Sequence, residues 1–372
     1  MTARDRDTTA RSATTREPLL DQFQQLDPHI DRLALDLHRM PEIGSEEVHT
    51  VTRLAGEMEE DGFVVETGIG GLATAFRASR GNGRPCVALL AEYDAIPGLG
   101  HACGHNLICA AAYGAAVALG RVIDEIGGSV VLIGAPAEET FGGKVVLARR
   151  GAYDDVDIAL LAHPGSENRA IVKSVASWSF EIVFEGRSSH AVAAPEQGVN
   201  ALDAMVQLFV GRDALLRSFD SSVLLPGVIL EGGVRPNVIP ARTRARFSLR
   251  ARDADTLVHS VLERFRGLVD GIARATGVKA TMSPIDNLYD ELRSNPVLAR
   301  VWEGNARALG VAMAPGEGRT IGSLDMGALS HQVPALHPLF SIVDDPVPTH
   351  TPSFTEASRA ERALAATRCA AR

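Results

Sequence analysis

Short apolar runs alternate with amphipathic segments through the first half of the chain. From Pro18 to Met40, apolar residues recur every three or four positions, which predicts a helix with one buried face. Ser45–Glu47 indicates the cap of a second helix that runs to about Glu60. Strands are predicted at Phe63–Glu66, Leu72–Arg77, Cys86–Ala91, Ser129–Ala135 and Asp157–Ala162, and helices at Leu107–Ile126 and Lys144–Arg150. This alternation predicts an α/β fold, with a largely parallel sheet flanked by helices.

The pattern changes near Ser174. From Ala241 to Arg252, small or apolar residues alternate with polar ones, most of which are arginines, and this predicts a strand with one buried face. The surrounding segments are predicted as a strand at Trp178–Glu185, a helix at Asn200–Phe219, a strand at Val223–Gly232, a helix capped by Asp253 that ends near Thr276, and a strand at Val278–Ser283. The order β-α-β-β-α-β is that of the split βαβ (ferredoxin-like) unit.

The α/β pattern resumes after this unit with a helix at Asn295–Leu309. The second domain is therefore predicted to be inserted into the first. We expect a disordered tail at residues 1–17, a first domain at 18–174 and 286–372, and the inserted domain at 175–285.

Composition and charge exclude several classes of protein. A length of 372 residues fits two domains or one large one, and 45% hydrophobic with 22% charged residues excludes a wholly disordered chain. The net charge of −9 argues against a nucleic-acid partner, since such proteins carry a basic face. The N-terminal segment has neither the apolar core of a secretory signal nor a membrane span, so no membrane partner is expected. The four cysteines form no Cys-x-x-Cys pair, which predicts a reducing, cytoplasmic location.

The segment after the predicted strand Cys86–Ala91 carries the most chemistry. Cys103 and His105 stand two residues apart in it, and thiolate with imidazole is a ligand pair suited to zinc. Open α/β sheets place their ligand sites beyond such strand ends. Two ligands do not make a site, so this pair alone is equally consistent with a buried cysteine beside a turn histidine.

Three further segments place candidate ligands near strand ends. Glu138 and Glu139 follow a buried strand, where one carboxylate can hold a metal while the other acts as a base. A solvated pair at a helix N-terminus is the alternative. His163 follows a predicted strand and His350 lies in a proline-rich loop, and either one alone is more typical of a surface histidine than of a ligand. The convergence of these segments favours a metal site.

Other candidates receive less weight. His190 lies in the inserted domain and would be remote from the metals unless that domain folds over the site. His331 and His337 flank a proline-containing turn and are given no role. Gly142-Gly143-Lys144 is not a phosphate-binding loop, because the upstream glycine and the following Ser or Thr are missing.

Taken together, the motifs resemble the aminoacylase/carboxypeptidase family of two-metal peptidases, in its amidohydrolase branch. This branch includes hippurate, aminobenzoyl-glutamate and auxin-conjugate hydrolases, and the chain most resembles the β-alanyl-lysine-type dipeptidases. The resemblance covers about Leu20 to Ala357. The motifs that carry it, in order along the chain, are His38–Glu42, Glu92–Gly98, His101–Asn106, Pro136–Glu139 and Gly322–Gly327.

The resemblance implies a role for each matching residue. Glu138 is implied as the general base, Asp94 as the carboxylate that orients a metal ligand, and His190 as the group that binds the scissile carbonyl in the partner subunit's site. Two divalent metals, Zn or Mn with Co as a further candidate, are implied to be held by Cys103, His105, Glu139, His163 and His350. The substrate is implied to contact Asn237, Arg250 and Gly322 as well as His190.

The implied activity is hydrolysis of the amide bond in an N-acyl amino acid or small dipeptide by metal-activated water. The resemblance implies that the first domain, residues 18–174 and 286–372, is the catalytic metallopeptidase domain. The inserted domain is implied to serve as a lid and to form a homodimer. Asn106 and Met40 depart from residues common in this branch, Asp and His respectively, which bears on substrate choice but removes no ligand. Hydrolysis of a non-peptide amide and an inactive metal-binding protein of the same fold remain alternatives. A zinc deaminase is disfavoured, because its His-x-Glu and Pro-Cys-x-x-Cys motifs are missing.

Overall fold

The computed structural model describes residues 3–318 and 320–372, with side chains from residue 19 onward. The chain divides into two compact units. The first comprises Met1–Lys173, Leu292–Ile321 and Ala328–Arg372, and the second comprises Ser174–Glu291 and Gly322–Gly327.

The helices and strands follow one another in an order close to the predicted one. The first unit begins with α1 (Ala3–Arg39), α2 (Val48–Glu60), β1 (Val64–Thr67), β2 (Phe76–Asn82), β3 (Cys86–Ala91), α3 (His105–Ile126), β4 (Gly128–Gly134), α4 (Gly143–Arg149), β5 (Ile158–Leu160) and β6 (His163–Gly165). The second unit contains β7 (Ala176–Glu185), α5 (Ala201–Leu216), β8 (Gly227–Glu231), β9 (Arg242–Ala251), α6 (Ala254–Thr256), α7 (Glu263–Thr276) and β10 (Lys279–Pro284). The remaining elements are α8 (Pro296–Ala308), α9 (Met326–Ser330), β11 (Ala335–Leu336), β12 (Leu339–Ser341), α10 (Pro352–Ala357) and α11 (Glu361–Ala371).

The first unit is built on a six-stranded sheet with the order β1-β2-β4-β3-β5-β11. The pairs β4–β3, β3–β5 and β5–β11 are parallel, whereas β1 and β2 add antiparallel pairs at one edge. The largely parallel sheet predicted from the sequence is therefore confirmed. Residues of α1, α2, α3 and α11 form one buried apolar cluster with β2, β3 and β4. Helix α3 is long and apolar enough to cross a membrane, but most of it is buried in this core.

Two predictions about the N-terminal helices are wrong. The structure continues α1 back to Ala3, through most of the segment expected to be a disordered tail, although Pro18 lies within the helix. Met1 and Thr2 lie outside the described residues. Ser45–Glu47 does not cap α2 through its side chains, because Glu42 accepts the free N–H groups of His49 and Thr50 at 2.9 and 2.8 Å.

The second unit is a four-stranded antiparallel sheet with the order β10-β7-β9-β8, packed against α5 and α7. This is the predicted β-α-β-β-α-β order. The predicted alternation along β9 is confirmed by the burial of Thr243, Ala245, Phe247, Leu249 and Ala251. The predicted helix cap also forms, since the Asp253 carboxylate accepts the N–H of Thr256 at 2.7 Å.

One short segment lies in a different unit from the one expected. Gly322–Gly327, which we assigned to the catalytic domain, belongs to the second unit. The N–H of Val175 donates to the Gly322 carbonyl at 2.9 Å. A Cβ on Gly327 would lie 1.9 Å from the Asp290 carbonyl oxygen, so only glycine permits this close packing.

Candidate metal centre

Neighbouring parallel strands bring the predicted site loops together. β3 and β4 pair in parallel, with Ala91 opposite Gly134. The loops that follow them, residues 92–94 and 136–139, therefore leave the same edge of the sheet side by side. Ligand sites in α/β proteins form at this edge.

Two unusual backbone positions bring further loops to the same place. Gly104 has a φ of +77°, and a Cβ there would lie 2.5 Å from a Pro164 side-chain carbon, so glycine allows β6 to approach the start of α3. His350 has a φ of +62°, and its N–H donates to the Ala102 carbonyl at 2.8 Å. The C-terminal loop is thereby held against the Cys103 loop.

Six side chains converge there in three overlapping groups. In each group, one ligand atom per residue lies within 4.8 Å of the others. The groups are Cys103 with His105 and His163, Cys103 with Glu139 and His350, and His105 with Glu138 and Glu139. The structure thus brings together all five side chains that the resemblance implied as metal ligands, along with Glu138.

Asp94 connects two members of the cluster. The His105 Nδ1–H lies 2.9 Å from the Asp94 Oδ1 atom and 2.8 Å from the Asp94 carbonyl oxygen. The second carboxylate oxygen of Asp94 accepts the N–H of Glu139 at 2.9 Å. Because Nδ1 donates to Asp94, the Nε2 atom of His105 is turned toward the cluster, where a metal ion would displace its proton and take the lone pair.

Burial and charge set the protonation of these groups. Burial raises the pKa of the Cys103 thiol to about 12, and the neighbouring His105 opposes this shift. Burial lowers the pKa of His163, which favours the neutral imidazole. Burial also acts to lower the pKa of His105, but Asp94 and Cys103 outweigh it and raise that pKa well above its ordinary value. Asp94 and Cys103 therefore stabilise positive charge at His105, and a cation bound there would in turn stabilise the Cys103 thiolate.

The side chains of this cluster suit a bound divalent metal ion. Within residues 3–318 and 320–372, the His105 Nε2 atom and the Glu139 Oε1 atom are buried and make no hydrogen bond. The Glu139 Oε1 atom lies 3.9 Å from His105 Nε2 and 3.3 Å from His350 Nε2. Zinc and similar ions bind thiol, imidazole and carboxylate groups whose lone pairs are not used in hydrogen bonds. Groups of all three kinds lie close together here.

Sequence reasoning missed a buried ion pair behind the ligands. The Lys144 ammonium lies 2.5 Å from the Glu92 Oε1 atom, and both side chains are almost completely buried. The other carboxylate oxygen of Glu92 lies 3.4 Å from His105 Nε2. Burial acts to raise the pKa of Glu92, but Lys144 and the nearby histidines outweigh it and lower the pKa to about 2. Glu92 stands two residues before Asp94 in one of the motifs, which is the signal that could have indicated it.

His337, which was given no role, also lies beside the cluster. Its ring stacks on that of His163 with a centroid separation of 5.3 Å. Burial lowers the pKa of His337 to about 3, so the ring is neutral at physiological pH. Its contact with His163 depends on the pairing of β6 with β12, which sequence spacing does not reveal.

The other four predicted site residues, His190, Asn237, Arg250 and Gly322, belong to the second unit. The His190 Nδ1 atom accepts the N–H groups of Val192 and Ala193 at 3.2 and 3.1 Å, so neutral His190 carries its proton on Nε2. The N–H of Ala191 donates to the Asn237 carbonyl at 3.0 Å, which places these two loops side by side. Arg250 is half-buried on β9, on the strand face opposite to Phe247 and Leu249.

Comparison with known proteins identifies the family. Residues 173–276 match the model of the M20 peptidase dimerisation domain. A Xaa-Arg dipeptidase from Mus musculus is 35% identical over 310 residues, which cover 79% of this chain and 71% of the relative. The chain belongs to the M20 peptidase family. It is a hydrolase, as its named relatives are.

Two further comparisons agree with membership of the M20 family. One component of the p-aminobenzoyl-glutamate hydrolase of Escherichia coli is 34% identical over 261 residues, which cover 63% of this chain and 53% of the relative. A solved dinuclear metal-binding peptidase of the M20 family from Bacillus subtilis has the same fold, with a TM-score of 0.68 and 21% identity. That alignment covers 93% of this chain and 98% of the solved one.

Proposed function

We propose that this M20 family hydrolase cleaves the amide bond of an N-acyl amino acid or small dipeptide, with Glu138 as the general base. The observation that carries the proposal is the convergence of five candidate ligands around the unused lone pairs of His105 and Glu139. The names of the relatives support the substrate class, because a Xaa-Arg dipeptide and p-aminobenzoyl-glutamate both have an amide bond to an amino acid.

Cys103, His105, Glu139, His163 and His350 would hold two divalent ions, with Zn, Mn and Co as the candidates. When bound, such ions supply Lewis-acid chemistry, because they lower the pKa of water and polarise a carbonyl oxygen. The ligand set includes a thiol, which favours zinc over a hard cation such as magnesium.

Glu138 is placed to move the proton. Its carboxylate is half-buried and lies in one ligand group with His105 and Glu139. As the general base it accepts a proton from the attacking water and later gives it to the leaving amine. Asp94 keeps His105 in the tautomer with a free Nε2 atom and also fixes the backbone of Glu139.

Residues of the second unit would bind the substrate. The His190 Nε2–H suits a donor to the scissile carbonyl oxygen as negative charge develops on it, since Nδ1 is occupied as an acceptor. Asn237, Arg250 and Gly322 would hold the substrate's carboxylate or backbone. A carboxylate would pair with the Arg250 guanidinium.

We further propose a homodimer formed through the second unit. The family model that matches there is a dimerisation domain. β8 is one of the two edge strands of its sheet, and Val228, Ile229 and Leu230 on it are 54%, 42% and 43% exposed. An edge strand with exposed apolar side chains is a template for pairing with another chain. A cytoplasmic location stays a prediction, supported by four cysteines that are all free thiols.

A panel of amides tests this function. The chelator-treated protein is reloaded with Zn, Mn or Co and assayed with N-acyl amino acids, dipeptides such as β-alanyl-lysine, and the same compounds with the carboxylate converted to an amide. We expect hydrolysis of the free acids and a loss of at least about tenfold for the amidated forms, because a charged group lost from a carboxylate site costs about 1.4 kcal/mol or more. Equal cleavage of both forms would favour a non-peptide amide as substrate. Binding of metal without hydrolysis of any compound would favour an inactive metal-binding protein.

A further inference from the structure

The turn that carries the general base has an unusual backbone. Ala137, directly before Glu138, has a φ of +61°. A residue with a Cβ reaches this left-handed region at a cost of about 1 kcal/mol or more, and it stays there only when its surroundings hold it. The direction of the Glu138 side chain is therefore set by whatever holds Ala137.

Hydrogen bonds hold both polar groups of Ala137. Its carbonyl oxygen accepts the N–H of Gly142 at 3.0 Å and the N–H of Thr140 at 3.3 Å. Its N–H donates to the Glu47 carboxylate at 2.9 Å, from a residue ninety positions earlier in the chain. Glu47 is completely buried, so this contact is shielded from water.

The carboxylate of Glu47 is not used to cap its own helix. Glu47 directly precedes α2 but makes no capping hydrogen bond. Glu42 accepts the N–H groups of His49 and Thr50 in its place. The Glu47 side chain therefore extends to the Ala137 turn instead of capping α2.

The backbone beside Glu47 packs directly on the same turn. A Cβ on Gly44 would lie 2.8 Å from the Thr140 hydroxyl and 3.0 Å from the Ala137 Cα. The same segment also holds the neighbouring site loop, since the N–H of Ala95 donates to the Glu42 carbonyl at 2.7 Å. Residues 42–47 therefore support both the turn of Glu138 and the loop of Asp94.

We propose that Glu47 is a positioning residue for catalysis, whose carboxylate holds the Ala137 N–H and so fixes the backbone from which Glu138 projects. Because Glu47 acts through Glu138, this role rests on the proposed function. Burial raises the pKa of Glu47 to about 7, so a neutral amide is a close replacement for its side chain. What the turn requires from residue 47 is an oxygen acceptor of this length.

Three variants separate positioning from a purely structural role. Glu47→Ala removes the acceptor, and Glu47→Gln keeps an oxygen at the same reach. Glu46→Ala is the matched control, since it removes an exposed carboxylate from the same segment and leaves both Glu42 and Glu47 in place. Steady-state kinetics, metal content and thermal unfolding are measured for all three, together with amide hydrogen exchange of the peptide containing Ala137 in the metal-free protein.

We expect Glu47→Ala to lower kcat by about 10- to 100-fold with KM changed by less than about threefold, because a small misplacement of a reacting group costs up to about 10²-fold. Metal content should stay near that of the wild type, and exchange at Ala137 should become faster. Glu47→Gln should restore kcat to within about threefold and slow the exchange again. Glu46→Ala should leave kcat, the melting temperature and the Ala137 exchange unchanged, because its side chain is exposed.

Wild-type kcat in Glu47→Ala would overturn the role, as would a Glu47→Gln variant that is no better than Glu47→Ala. If Glu47→Ala does not fold, Glu47→Asp shortens the acceptor by one methylene, and wild-type kcat in that folded variant would equally overturn the role. Failure of the proposed function would give a different result from failure of the Glu47 role. Near-native turnover of Glu138→Gln would remove the base assignment, whereas the exchange measurement reports on the turn in metal-free protein regardless of that assignment.

Discussion

Replacing Asp94 by Ala should weaken metal binding by about 30-fold. Asp94→Ala removes both carboxylate oxygens, one within 2.9 Å of His105 Nδ1 and one that accepts the Glu139 N–H at 2.9 Å. His105 keeps a partner, because the Asp94 carbonyl oxygen lies 2.8 Å from the same nitrogen. Two lost hydrogen bonds at about 1 kcal/mol each amount to about 2 kcal/mol, or about 30-fold in affinity. This agrees with the losses of roughly 10- to 100-fold that are typical when the partner of a metal ligand is removed.

The assay is a competition titration of zinc between the protein and a chelator of known affinity. Asp94→Asn should show a smaller loss, because its single amide oxygen can serve only one of the two donors. Asp344→Ala serves as the control, since its carboxylate is 81% exposed and pairs with Arg362 on the surface. Unchanged zinc affinity in a folded Asp94→Ala protein would refute the orienting role of Asp94.

Four further predictions concern the buried ion pair, its pH dependence, the Cys103 ligand and His190. Lys144→Met should lower the free energy of unfolding by about 3–5 kcal/mol, because it removes the ammonium that pairs with the buried Glu92 carboxylate. Urea titration measures this loss, and an unchanged free energy of unfolding would show that the pair does not stabilise the fold. Since the pKa of Glu92 is lowered from 4.5 to about 2, the stability that this pair contributes to the wild type should be complete above about pH 4.5 and lost as the pH falls toward 2. Cys103→Ala should reduce metal content measured by elemental analysis, and full occupancy in that variant would exclude the thiolate as a ligand. His190→Ala and Glu138→Gln proteins should each be nearly inactive, and mixing them should restore up to about half of the activity per mixed dimer if His190 acts in the partner's site. No recovery after confirmed subunit exchange would contradict the shared site.

Structural features that depend on local periodicity could be predicted from the sequence. The alternation from Ala241 to Arg252 identified both β9 and its buried face, because one side of a strand packs on a core. The convergence of Cys103, His105 and Glu139 could also be anticipated, since the carboxyl ends of parallel strands meet at one edge.

Contacts between distant segments could not be predicted in this way. The sequence around Lys144 gave this residue no role, yet its ammonium is buried against Glu92, which follows a different strand. His337 reaches His163 only because β12 pairs with β6. The carboxylate of Glu47 reaches Ala137 because the carboxylate of Glu42 caps α2 instead. Sequence patterns do not show which of these two acidic side chains caps the helix.

The proposed function requires metal-assisted hydrolysis in which Glu138 is the base and not a ligand. The most direct measurement combines metal stoichiometry and turnover in the Glu138→Gln protein, with the wild type alongside. We predict about two equivalents of metal per chain in both proteins, and a loss of turnover in the variant of at least about 10²-fold. Near-native turnover of Glu138→Gln, or active wild-type protein that reproducibly contains no metal, would contradict it.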